Sequence, residues 1–259
     1  MPGRQGIGLR CAVAMLAQGL LAAVPMASSV AQSPDTPSAR WFDMESRIQY
    51  AYYTEDARTL ANLQQMLTGE EAQTAQRFYY LALASYRLAQ LRLAPSQHGE
   101  AGRSADICVD QLNQAMRLQE DSAEALALQS GCLALLAQVH SIRAPLLVSR
   151  SASQMRRAVT LAPRNPRVLL LEAQGELARD ARTASGLDHL QQAIAAFEHE
   201  RQQTERVPGW GAADAYATLG RSYLDRGDAI AARAALEHAL LLVPDFTYAH
   251  RLMARITSG

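Results

Sequence analysis

The feature that most constrains the fold of this chain is a pattern that recurs at helix ends. Three segments superpose, each with an alanine followed three positions later by an apolar residue: 115–121, 158–164 and 239–245. The alanines are 43 and 81 residues apart, and the second interval is close to twice the first. In two segments a proline follows, which cannot continue the helix. The pattern therefore predicts an array of similar helical units.

The composition between these segments also favours helices. Alanine, leucine, glutamine and arginine are abundant, and all four are good helix formers. The alternation of β-branched and polar residues that is typical of strands is absent. We predict helices near 41–53, 55–67, 71–93, 103–118, 122–140, 147–161, 166–180, 186–205, 212–225, 229–242 and 246–257, separated by glycine- and proline-bearing breaks.

The last full unit, 212–245, resembles the tetratricopeptide repeat (TPR). In that family, aromatic residues, a leucine and a glycine line the first helix of each hairpin. Small and bulky apolar residues line the second helix, and a proline closes the unit. The matching positions here are Tyr216, Leu219, Gly220, Tyr223, Gly227, Ala232, Leu236, Ala239 and Pro244. The match is looser over about 103–180, where the units run longer than the family's repeat of 34 residues.

The fold class implied by this resemblance is all-α. We expect a right-handed array of helical hairpins, a TPR-like α-solenoid of about five hairpins over 41–259, with 246–257 as a C-terminal capping helix. A cap is needed because the last hairpin would otherwise expose its apolar stripe.

The first 31 residues have the plan of a secretory signal peptide. Arg4 and Arg10 form a short basic start, an apolar stretch runs to about Met26, and small residues follow. We predict cleavage between Ala31 and Gln32, then a disordered leader over 32–40. The alternative is an uncleaved membrane anchor, but the apolar stretch is short for a membrane span. The prediction is export to the periplasm of a bacterial envelope, with no stable membrane insertion after cleavage.

Two cysteines, Cys108 and Cys132, would remain after cleavage. Each is 12 residues from a turn centred near Glu120, so an antiparallel helix pair would bring them to the same height. Their Cα atoms would then be about 4–5 Å apart, near the range for a disulfide. An even number of cysteines also suits an oxidising compartment. The alternative is two small buried thiols that fill the core.

All 25 basic residues are arginines, and the chain has no lysine. This composition excludes Schiff-base lysines, phosphate-binding GK[ST] loops and SxxK nucleophiles. The net charge of zero and the pI near 7.0 give no electrostatic reason to expect a nucleic-acid partner. The single cation type has an ordinary explanation in a genome that favours arginine codons.

No other catalytic or metal-binding pattern is present. No histidine pair has i,i+4 spacing beside a third ligand, and the cysteines form no CxxC motif. The sequence around Glu198, His199 and Glu200 is suggestive, but adjacent residues point to different sides of a helix. We therefore expect no metal, no cofactor and no enzyme activity. A hydrolase built on scattered carboxylates is a weaker alternative.

The TPR resemblance implies a binding groove lined by the first helix of each hairpin. In the clearest unit its positions are Asp214, Ala217, Arg221, Leu224 and Asp225, and a weaker alignment adds Glu124, Ala127, Arg167 and Gln174. The family's lysine-based carboxylate clamp has no counterpart here. Arginines could replace it, because a guanidinium group binds a carboxylate through two hydrogen bonds.

The leading hypothesis is a non-enzymatic envelope scaffold that binds another protein or peptide in this groove. The second hypothesis is a periplasmic binder of a small ligand that uses an aromatic patch near the start of the repeat domain. That patch would consist of Tyr50, Tyr52, Tyr53, Tyr79, Tyr80 and Tyr86, which could equally pack in the core.

Overall fold

The computed structural model describes residues 37–203 and 209–257. The predicted signal peptide, its cleavage between Ala31 and Gln32, and the leader up to residue 36 lie outside the described residues. Within the described part the chain is helical and contains no strand. The helices are α1 Pro37–Tyr53, α2 Ala57–Thr68, α3 Ala75–Leu91, α4 His98–Leu118, α5 Ala123–Val139, α6 Ala144–Leu161, α7 Pro166–Arg179, α8 Ala184–Gln203, α9 Ala212–Asp225, α10 Ala229–Leu242 and α11 Thr247–Thr257.

The helices pack as an array of hairpins, which confirms the predicted fold class. Successive pairs from α1–α2 to α9–α10 lie side by side, and α11 packs against α10. Short polar side chains begin many of the helices by accepting a hydrogen bond from the first turn. These capping residues are Asp56, Thr74, Ser122, Asn165 and Asp228.

Four helices begin earlier than predicted, and the differences are largest at α1 and α4. Helix α1 begins at Pro37, so residues 37–40, which fall in the predicted disordered leader, are helical. Proline suits a first helical position because its missing N–H has no partner there in any case. Helix α4 begins at His98 instead of 103, because a 3₁₀ turn over Pro95–Gln97 leads directly into it.

Several residues of the TPR signature lie at the contact or in the turn between α9 and α10. Ala232, Leu236 and Ala239 are buried between α9 and α10. Gly220 allows the two helices to approach closely, since a Cβ atom there would lie 2.6 Å from Cγ of Leu236. Gly227 has a φ of +83° in the turn between the helices, a conformation that favours glycine.

A disulfide joins Cys108 of α4 to Cys132 of α5. Their Cα atoms are 6.2 Å apart, somewhat farther than the sequence-based estimate but still within the disulfide range, and both side chains are fully buried. The bond links the second hairpin to the third. It therefore fixes a junction between repeats rather than the inside of one hairpin.

The last elements of the array return to the first. Arg251 of α11 forms an ion pair with Glu55, which follows α1, and the rings of Tyr53 and Phe246 meet edge to face with centroids 4.6 Å apart. These contacts bring α11 and the loop before it against the end of α1. Across the described residues, no helix combines the length and hydrophobicity needed to span a bilayer.

Candidate functional site

The concave side of the array holds a groove of about 1050 Å³, here called the concave groove. Helices α3, α5, α7 and α9 contribute to its walls, and residues of α6 and α11 reach its rim. The predicted positions Gln174, Asp214, Ala217, Arg221 and Asp225 all line it. These five predicted residues, on α7 and α9, therefore line one cavity.

Charged groups of both signs line the concave groove, and several are already paired. Arg221 lies 3.5 Å from Asp225, and Arg92 lies 3.2 Å from Glu100. Arg156 and Arg179 also line the groove, and neither forms an ion pair with a described residue. These two are the cations available to a ligand.

Asp214 is a structural residue rather than a free groove carboxylate. Its two oxygens accept hydrogen bonds from Nη1 and Nη2 of Arg87, at 3.0 and 2.9 Å, and Tyr53 donates a third at 2.9 Å. Arg87 is 1% exposed and Asp214 is 4% exposed. This pair joins α3 to α9, and its two residues are 127 positions apart in the chain.

The surroundings of Arg87 keep it charged in spite of its burial. Burial disfavours the charged guanidinium, but the carboxylate of Asp214 and nearby tyrosines outweigh it, and the pKa of Arg87 is raised above its usual value. The guanidinium lies 4.0 Å from the ring centroid of Tyr52, a cation–π contact. The same site raises the pKa of Tyr53 well above its usual value, through burial and then through the charge of Asp214.

Glu124 and Arg167, predicted to extend the groove, do not line it. Arg167 is 5% exposed and forms ion pairs with Glu124 at 3.3 Å and with Glu200 at 3.0 Å. Its charge is therefore used to join the start of α7 to α5 and α8. Ala127 and Leu224 were also predicted to line the groove, and neither does. Ala127 is fully buried, and Leu224 packs against a second apolar cluster.

The predicted tyrosine patch is divided among several sites. Tyr52 and Tyr86 border the concave groove, whereas Tyr50 and Tyr53 line a different cavity. Tyr79 accepts a hydrogen bond from the indole of Trp210, and Tyr80 donates one to Glu45. The tyrosines near the start of the domain thus form no single aromatic surface.

Glu45 is a buried carboxyl group with a perturbed pKa that sequence reasoning missed. Burial raises its pKa from 4.5 to about 7, and Arg167, the hydrogen bond from Tyr80 and the nearby backbone N–H of Trp210 only partly oppose this shift. Its Oε1 has no hydrogen-bond partner in the part of the chain that the structure describes. An isolated glutamate in a helix gives no sequence signal of such burial.

One group of side chains has the spacing of metal ligands. Glu172 and Glu176 of α7 and His189 of α8 bring one ligand atom each to within 4.8 Å of one another. Nδ1 of His189 lies 3.2 Å from Glu176. The sequence does not reveal this group, because it depends on how α7 and α8 pack. The group could hold a metal ion, although the imidazole and carboxylate also satisfy each other.

We predict strong coupling between Arg87 and Asp214. Arg87→Met leaves a buried carboxylate without its cation, and Asp214→Leu leaves a buried cation, so each change should lower the free energy of unfolding by about 3–5 kcal/mol. The double variant should lose much less than the sum. Chemical denaturation of the four proteins measures this coupling. The exposed pair Arg221 and Asp225 serves as a control, with coupling of about 1 kcal/mol or less. Additive losses at Arg87 and Asp214 would contradict the prediction.

We also predict that Glu45 makes stability depend on pH. Its pKa is higher in the folded protein than in the unfolded chain, so the folded state binds more protons between pH 4.5 and about 7. The free energy of unfolding should therefore fall as pH rises through this window, by about 3 kcal/mol at most. Glu45→Gln should remove this component, which denaturation at pH 5 and pH 8 would measure. An identical pH dependence in both proteins would exclude this role for Glu45.

Comparisons with known proteins show similarity at the level of the fold. No family model matches the chain, and no curated protein matches its sequence. The HusA haemophore from Porphyromonas gingivalis superposes with a TM-score of 0.59 at 20% identity, over 74% of this chain and 96% of that one. The APC/C hetero-tetramer Cut9–Hcn1 gives a TM-score of 0.38 at 13% identity, over 87% of this chain and 43% of that one. The first of these likenesses supports the helical-array fold.

Proposed function

We propose that the protein is an exported, non-enzymatic binding protein that holds an extended segment of a partner protein in its concave groove. The observation that carries this proposal is the groove itself, which has a volume of about 1050 Å³ and is lined by the first helices of four successive hairpins, α3, α5, α7 and α9. Export to the periplasm is part of the proposal. It is supported by the signal-peptide pattern of residues 1–31 and by a disulfide of the kind that persists in oxidising compartments.

The groove lining suits a peptide that carries carboxylates. Gln90, Gln138 and Gln174 offer side-chain amides that can hydrogen-bond to a peptide backbone. Arg156 and Arg179 add cations that can each bind a carboxylate through two hydrogen bonds. We therefore expect an extended partner segment that places a carboxylate beside Arg156 or Arg179.

Adjacent arginines on α6 provide a matched test of this proposal. Arg156 lines the groove, whereas Arg157 is exposed outside it and donates a hydrogen bond to Gln154. An array of eight-residue peptides identifies binders, and calorimetry then measures their affinities. Arg156→Glu should weaken acidic binders about tenfold, as expected for losing a hydrogen bond between charged groups, and Arg157→Glu should leave affinity unchanged. Equal effects of both changes, or no binding peptide, would overturn the proposal.

A second candidate function is transport of a flat, anionic small molecule in the same groove. The structural neighbour HusA is named as a haemophore, and the groove is of a size typical of ligand sites. The specific observation that favours haem is Met155, which lines the groove beside Arg156. A thioether is a known axial ligand of haem iron, and an arginine can bind a propionate.

Haem titration distinguishes this candidate from peptide binding. If it holds, adding ferric haem to the purified protein gives a saturable change in the Soret band at one haem per chain. Met155→Leu should shift the absorption maximum by removing the ligand. Met116→Leu, a change to a half-buried methionine outside the groove, should not shift it. A haem spectrum unaffected by the protein would eliminate this candidate.

A further inference from the structure

A second cavity, separate from the concave groove, lies between α1, α8 and α9. Its volume is about 500 Å³, within the range of small-molecule sites. Among the described residues, none lines both cavities. We call it the α1–α9 cavity, and its apolar walls include Tyr53, Phe197, Trp210, Tyr216 and Leu242.

Two buried polar side chains of α1 line the same cavity. Glu45 and Gln49 lie one helical turn apart and are only 6% and 7% exposed. Each has one polar atom with no hydrogen-bond partner within the described residues, namely Oε1 of Glu45 and Nε2 of Gln49. Native interiors rarely leave such atoms unsatisfied, and two on the wall of one cavity point to a ligand that would complete them.

The remaining atoms of these side chains fix which groups are left for a ligand. Nη2 of Arg87 donates to Oε1 of Gln49 at 3.0 Å, and because a guanidinium can only donate, the amide NH₂ must be the group left over. Oε2 of Glu45 accepts a hydrogen bond from Tyr80 at 3.1 Å. The cavity therefore offers a donor from Gln49 and a carboxylate acceptor from Glu45.

We propose that the α1–α9 cavity binds a small aromatic amide. The amide oxygen accepts a hydrogen bond from Gln49, the amide N–H donates to Glu45, and the ring packs among Phe197, Trp210 and Tyr53. A carboxylate of the same shape is disfavoured, because it has no proton to donate and would face the charge of Glu45. This site is independent of the concave groove and does not rest on the function proposed there.

Replacing the carboxylate of Glu45, an acceptor, by an amide that can donate tests the proposed binding of an aromatic amide. Calorimetry at pH 8, where Glu45 is mostly ionised, compares naphthalene-2-carboxamide with naphthalene-2-carboxylate as probes. The unaltered protein should bind the amide at least about tenfold more tightly, because the carboxylate leaves a buried group unpaired. Glu45→Gln can keep its contact with Tyr80 while turning an NH₂ into the cavity. This variant should reverse the preference, since two donors then face the probe.

The control is Asp43→Asn, which makes the same carboxyl-to-amide change at an exposed position of α1 and should leave both affinities unchanged. Ala212→Leu adds a larger side chain to the cavity wall formed by α9, so it should lower the affinity for the amide probe at least about tenfold. This test applies whether or not the residue 45 variant folds. The proposal is overturned if the unaltered protein binds neither probe at millimolar concentration. It is also overturned if a folded Glu45→Gln protein retains the original preference.

Discussion

The ion pair between Arg87 and Asp214 is the interaction on which the rest of this structure depends. It connects the second hairpin to the fifth, whereas the other contacts of a repeat array join mainly neighbouring units. Arg87 also donates to Gln49 of α1, and Tyr53 of α1 donates to Asp214. The first helices of the first, second and fifth hairpins, α1, α3 and α9, therefore meet at one buried charge pair. The pair therefore closes the array between its second and fifth hairpins.

This closure separates the concave groove from the α1–α9 cavity. The faces of α1 and α9 that carry Tyr52 and Ala217 border the concave groove, whereas the faces with Tyr53 and Ala213 border the α1–α9 cavity. The charge pair lies between them, with Asp214 on the groove side and Gln49 on the cavity side. A ligand in the α1–α9 cavity would contact Gln49, which also accepts a hydrogen bond from Arg87.

The sequence predicted the parts of the structure that depend on local pattern. Helix boundaries followed from prolines and glycines, and the TPR resemblance placed Gly220 and Leu236 on the two helices of one hairpin. The closure was not predictable, because Arg87 and Asp214 belong to different repeats and neither residue breaks the pattern of its helix. The same limit applies to Arg167, whose partner Glu124 lies on α5 of the preceding hairpin. A repeat alignment compares equivalent positions, but it carries no information on which charges meet across repeats.

The ion pairs of Arg87 and Arg167 give the absence of lysine a structural consequence. Arg87 makes four hydrogen bonds from two nitrogens to three side chains, an arrangement that needs a planar group with fixed donors. A lysine ammonium offers only three donors and could not make this network. Arg87 and Arg167 are therefore used for the architecture, whereas Arg156 and Arg179 remain open to a ligand. Neither of these two occupies a position marked by the repeat alignment. The selectivity of the groove should therefore lie in residues that the TPR signature leaves unspecified.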